Sequence, residues 1–253
     1  MEIQLREVPK RMRGKSYTDI VTNAIADIDS SAVSKPKRSR GFRRPLTIAS
    51  GFALIFFGGL FISWTAHRID RHLRGEIFLQ ARMVAQAVDV KSVMALSGTR
   101  ADLALPGYRR LKEQLSLICS ANPKCRFIYL MGKNDGGELF FHVDSEDPDS
   151  KDYSPPGEIF TEATSDDHAV FDTGVGNADG GPYKDRWGTW ISAMTPIHHP
   201  DTGGVLAVLG MDFNADSWKW DVANRTMLPA SSALLAIAFG LYLLILALRG
   251  DWR

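Results

Sequence analysis

Two stretches of this chain constrain everything else. Leu46–Ala66 runs 21 residues and Met227–Leu248 runs 22 without one Asp, Glu, Lys or Arg. A bilayer core about 30 Å thick needs about 20 apolar residues at 1.5 Å of helical rise each. Soluble core helices seldom run that far uncharged, and Gly51, Gly58, Gly59 and Gly240 are ordinary in membrane helices. Both stretches are therefore expected to cross a membrane. They divide the chain into a basic tail (1–44), a first span (45–66), a folded domain (67–226), a second span (227–248) and a five-residue tail (249–253).

The charge pattern sets the expected orientation. The net charge is only +1, but residues 1–44 carry eleven Lys/Arg against five Asp/Glu. Six of those bases, Lys35, Lys37, Arg38, Arg40, Arg43 and Arg44, directly precede the first span, and Arg249 and Arg253 follow the second. The positive-inside rule then places both termini in the cytoplasm and 67–226 outside, although Arg68, Arg71 and Arg74 lie on the opposing side. A basic arm can bind nucleic acid. This one abuts a membrane span, so it reads as a topology signal touching anionic lipid headgroups, and no nucleic-acid partner is expected. Tyr17, Ile20, Val21, Ala24, Ile25 and Ile28 recur at helical spacing and predict a short amphipathic helix. A cleaved leader is not expected, because the polar stretch ahead of the span is too long.

Beyond Ala66 the helical pattern continues to Leu96, with Ser97-Gly98-Thr99 as its expected stop. Its apolar stripe, Ile69, Leu73, Ile77, Val84 and Val88, is expected to pack on the domain or on a second copy, which would make a homodimer. A second helix is predicted over Pro106–Ser120, burying Tyr108, Leu111, Leu115 and Ile118. The period then switches to two. Phe127–Met131 and Leu139–Val143 read as strands around an Asn-Asp-Gly-Gly turn. A short helix is expected within Ile159–Ala169. A hairpin follows, with Trp187–Ile197 and Gly204–Phe213 flanking His198–Gly203. Alternation puts Trp187, Thr189, Ile191 and Ala193 on one face, with Trp190, Ser192 and Met194 on the other. Helices followed by runs of strands predict an α+β domain with an antiparallel sheet.

Over Tyr108–Trp218 the blocks YRRLKEQLSLI, NPKCRFIYLMG, FFHVDSE, KDYSPPG, GPYKDRWGTWISAMTPI and VLAVLGMDF resemble the extracytoplasmic Cache or PAS-like sensor domains of bacterial membrane receptors, such as sensor kinases. The resemblance implies a PAS/Cache-like antiparallel sheet with a long N-terminal helix, seated on the bacterial inner membrane. It implies a pocket on one sheet face for a small extracellular carboxylate, amino acid or amine. Arg186, Trp187, Trp190 and Asp212 are its expected ligand contacts, with Tyr129 on the first strand beside them. No output module is read after the second span, so the expectation is either a separate cytoplasmic signalling partner or a truncated sensor kinase. A protein-binding role for the outer domain is the alternative.

Other chemistries find little support. Arg186 could clamp a carboxylate bidentately, or pair with Asp185 or Asp212 as a structural residue. Asp212 could hold an amine, or cap a strand end. The acidic run DSEDPDSKD lacks calcium-loop spacing and reads as a solvated loop. His142, His198 and His199 lack zinc-ligand spacing. No G-x-S-x-G motif, acid–base pair or phosphate-cradling loop is found, so neither catalysis nor a cofactor is expected. Cys119 and Cys125 could form a disulfide across Ser120–Lys124 or stand as two separate thiols.

Overall fold

The computed structural model describes Thr22 and residues 43–249. The expected amphipathic segment Tyr17–Ile28, apart from Thr22, lies outside the described residues. So do the basic residues from Lys35 to Arg40 and the tail after Arg249.

Helix α1, Arg43–Ala87, carries the first apolar stretch into the folded domain without a break. It stops well before the expected Ser97. Asp89 takes the Lys91 N–H (3.2 Å) and the Ser92 hydroxyl (2.6 Å). That side chain caps a separate short helix, α2, Val90–Met94. A 3₁₀ turn, Arg100–Ala104, follows. The Asp102 carboxylate holds it by accepting the N–H groups of Ser97 and Gly98. Pro106 opens α3, Pro106–Ala121, where its missing N–H costs nothing.

The strands are β1, Cys125–Lys133, and β2, Leu139–Asp144. Helix α4, Ser165–Thr173, is closed at its start by a Thr164–Asp167 capping box. Three more strands follow: β3, Tyr183–Lys184, β4, Thr189–His198, and β5, Val205–Asn214. Strand β5 runs directly into α5, Ala215–Arg249, so the second apolar stretch is the far end of a helix that begins at the sheet. The sheet is antiparallel throughout, in the order β2-β1-β5-β4-β3. The architecture is the expected one, an α+β domain with a PAS/Cache-like sheet and a long N-terminal helix.

Strand alternation sorts the sheet into two faces. Ile128, Leu130, Ile191, Ala193, Leu209 and Met211 face the helices and meet Leu73, Ile77, Ala81 and Ala85 of α1, with Val88 just past its end. Burial of each larger side chain contributes roughly 1.5–3 kcal/mol. The stripe expected to join two copies is thus covered by the chain's own sheet. Phe127, Tyr129, Met131, Trp190, Met194 and Val208 form a second, smaller cluster on the opposite face with Phe141 and Val170.

Both apolar helices are long enough to cross a membrane. They pack side by side, with Gly51 against Gly240 and Leu244, and Gly58 against Ile237 and Ala233, where any Cβ would intrude. Nearer the sheet, Arg74 ties the two helices to the domain. It is buried (8% exposed). Its guanidinium donates to Asp70 Oδ2 (2.8 Å) and to the carbonyls of Ala178 (3.0 Å) and Gly180 (2.6 Å). Asp70 in turn accepts the Trp218 indole N–H of α5 (2.7 Å).

Candidate functional site

On the sheet face away from α1 lies a cleft with about 310 Å³ of empty volume. Only about 20 Å³ of it is wide enough to hold the centre of a water molecule, so its walls nearly meet. Strand alternation supplies the floor. Phe127 and Tyr129 of β1 and Asp212 of β5 point to the same side, beside Ser192 of β4. The rim comes from loops. The β-bridge Phe140↔Ile159 brings up Phe160, and a tight turn at 185–188 brings Trp187. The rings pack edge to face, Tyr129 on Phe141 (5.5 Å) and Phe141 on Trp187 (5.9 Å).

Tyr129 owes its place to Gly210. The two are cross-strand partners, and a methyl group at 210 would overlap the Tyr129 ring. Gly210→Ala is expected to cost about 1–3 kcal/mol through overpacking and to drive the Tyr129 ring off the floor. Thermal unfolding with the near-UV spectrum of the aromatic residues would read both. An unchanged Tm and spectrum would refute this account of the floor.

The cleft is acidic. Asp144, Asp152, Asp185 and Asp212 line it, and among the described residues no Lys or Arg does. Three of the four are compensated. Asp185 Oδ1 accepts the N–H groups of Trp187 (2.8 Å) and Gly188 (2.9 Å) and the Trp190 indole N–H (2.9 Å). Asp144 accepts the N–H groups of Ser154 (2.8 Å) and Glu146 (3.1 Å). Burial still pushes Asp144 up to about 6, against the pull of those bonds. Asp152 pairs with Arg126 (2.8 Å).

Asp212 differs from these. It is 5% exposed, and its side chain meets only hydroxyls, those of Tyr129 (3.3 Å) and Ser192. It belongs to no ion pair among the described residues. Burial, reinforced by the negative charge of Asp185, pushes its carboxyl up to about 7, and the two hydroxyls only partly offset this. Tyr129 is pushed above its ordinary range, by burial first and then by the charge of Asp212.

The structure brings Tyr129, Trp187 and Asp212 together in the cleft. Trp190 stands behind the lining, edge-on to Phe127 (5.1 Å), with its indole N–H on Asp185. Arg186 points to the outer rim. It pairs with Glu158 (2.9 Å) and Glu162 (3.1 Å) and lies over the Trp187 ring (4.3 Å), not with Asp185 or Asp212. Two sequence expectations need correction. Trp187 precedes β4 and reaches the cleft through the turn, so it does not share the Ile191 face. The acidic run is not simply solvated: Asp144 is buried, Arg126 grips Glu146 and Asp152, and Lys112 donates to the carbonyls of Asp144 and Glu146. Phe127, Phe141, Phe160, Asp144 and Asp185 are lining residues that the sequence reading missed. Period-two alternation carried the signal for Phe127 alone, as the cleft-side neighbour of Tyr129 two positions on.

No protein-family model matches the chain, and no curated protein matches it. Among solved structures it is similar to the ligand-binding domain of the Campylobacter jejuni chemoreceptor Tlp3. The form in complex with L-valine matches at 13% identity and a TM-score of 0.44, over 71% of this chain and 67% of that one. The form in complex with 4-methylisoleucine matches at 10% identity and a TM-score of 0.45, over 67% of this chain and 62% of that one. These likenesses are too distant to bear on ligand or site, which rest on the geometry above.

Proposed function

We propose that this chain is a membrane-anchored receptor whose outer domain binds a small cationic amine in the acidic aromatic cleft. The observation that carries the reading is Asp212, a buried carboxylate with hydroxyl partners and no cation, set among five aromatic rings. A buried charge wants an opposite charge, and aromatic faces attract ammonium groups. A carboxylate or zwitterionic amino acid would also need a cation in the cleft. Arg186 and Arg126, the chain neighbours of the lining residues Trp187 and Phe127, are each held by two carboxylates. That favours an amine without a carboxylate.

A ligand entering so narrow a cleft must spread Phe141 from Trp187. The movement would pass along the turn that carries Trp187 and along β5, which continues into α5. The helices would carry it to a partner at the inner surface. Support for cytoplasmic termini comes from the arginines that opposed them. Arg74 is neutralised by Asp70, and Arg68 stacks on Trp64 (5.3 Å), a pairing suited to a membrane interface.

The test is a thermal-shift panel on the full chain in detergent, with choline, putrescine and ethylamine against L-valine and succinate. A bound amine at 100 times its Kd should add about 2.7 kcal/mol of stability. The shift should strengthen as pH rises through about 7, because the ionised Asp212 is the binding form. A response to succinate or valine but to no amine would refute the amine reading. Silence across the whole panel would favour a protein-binding role for the outer domain.

A further inference from the structure

The two cysteines sit where the domain meets both membrane-directed helices. Cys119 is in the last turn of α3, and Cys125 opens β1. Two successive backbone bonds fold the segment between them, from Asn122 N–H to the Cys119 carbonyl (3.1 Å) and from Cys125 N–H to the Asn122 carbonyl (2.9 Å). The folded backbone itself brings the thiols together, with their Sγ atoms 3.0 Å apart and unbonded. Both are half-buried, so a small oxidant can reach them.

The turn they enclose holds the two helices. Asn122 Nδ2 donates to Gln80 Oε1 of α1 (3.1 Å), and Lys124 Nζ donates to Asp221 Oδ2 of α5 (2.7 Å). Cys125 is also the strand partner of Phe213, two residues before α5 begins. We propose that Cys119 and Cys125 are an oxidisable pair whose disulfide stiffens the turn clamping α1 to α5. The oxidant is a small or protein disulfide. One protein thiolate attacks it, its S–S bond breaks, and the leaving thiolate takes up a proton. The second protein thiol loses its proton, and its sulfur displaces the remaining half as a second thiol. Two protein thiols are oxidised, and one disulfide is reduced to two thiols. The proposal stands apart from the ligand reading and needs no amine.

The test uses the full chain in detergent, reduced and then incubated with oxidised glutathione. Free thiols are trapped with N-ethylmaleimide and the product is weighed. The expected product is a single chain lighter by two hydrogens, with no maleimide added and Cys119 joined to Cys125 in one peptide. Two trapped maleimides, retained glutathione, or cross-linked pairs of chains as the main product would overturn it. Hydrogen exchange then reads the clamp. In the oxidised chain, amides of 120–125 and 215–225 should exchange about tenfold more slowly than in the reduced chain. In the Cys119→Ser chain, which cannot close the bridge, the oxidant should not slow exchange at 215–225. A disulfide that leaves exchange at 215–225 unchanged would overturn the clamp.

Discussion

Asp212→Asn is expected to make the chain more stable above pH 7 while weakening amine binding. Burial holds the Asp212 carboxyl at about 7, against an ordinary 3.8. Between those values the folded chain keeps a proton that the unfolded chain releases. The resulting stabilisation is complete below the ordinary value and is lost as pH rises through about 7. Above pH 8 the ionised carboxylate sits buried with hydroxyl partners but no cation, at a cost on the order of 2–4 kcal/mol. Asparagine keeps the shape and an acceptor for the Tyr129 and Ser192 hydroxyls but never ionises. The Tm difference between variant and wild type should be near zero at pH 4.5 and grow to several degrees by pH 8.5. Asp144, raised to about 6, and His142, lowered by burial to about 4, titrate in both proteins and cancel. Affinity for a cationic amine should fall about 100-fold at pH 8, the loss of one charge-assisted contact. Stability and binding would then move in opposite directions, which a damaged fold cannot produce. A Tm difference that does not change with pH would refute the assignment of the buried charge to Asp212.

Much of the framework could be read from the chain because it rests on local rules. Period-two alternation placed Tyr129 and Asp212 on strands, and the cleft face carries both. The stripe Leu73, Ile77, Val88 announced a helix covering a core. What stayed hidden depends on contacts between distant segments. Arg186 lies 28 residues beyond Glu158, a separation that no local rule spans. Nothing in RWGTW distinguishes an arginine aimed at a ligand from one held on a rim. Trp187 reads as a strand residue, yet Asp185 captures the Trp187 and Gly188 N–H groups and turns the chain one step before β4. Asp144 looked like one acid among five in a polar loop. Its burial follows from pairing with Tyr129 across the sheet, a register that composition does not encode.

The same reasoning gives Arg74→Met the largest expected loss of stability. Arg68, Arg71 and Arg74 look alike in the sequence, three bases following the first apolar stretch. The structure separates them: Arg68 and Arg71 are exposed, whereas Arg74 is buried among four partners. Methionine fills the volume but donates nothing. The Ala178 and Gly180 carbonyls lose their donor, and Asp70 keeps only the Trp218 N–H. Removing one member of a buried charged network costs about 3–5 kcal/mol, mostly through the groups left behind. Asp70 is partly exposed and can recover some solvation, so about 2–4 kcal/mol is expected. Arg74→Lys should fall between, since a point charge can satisfy Asp70 but cannot also span two carbonyls as a planar fork does. Denaturant unfolding of the full chain in detergent, followed by far-UV circular dichroism, would measure all three. The loss should be larger than that of Arg71→Met, whose exposed side chain supplies the matched control. If Arg74→Met and Arg71→Met proved equally mild, the guanidinium would not be what fastens α1 and α5 to the loop before β3. The link from the cleft to the two long apolar helices would then have to run through β5 alone.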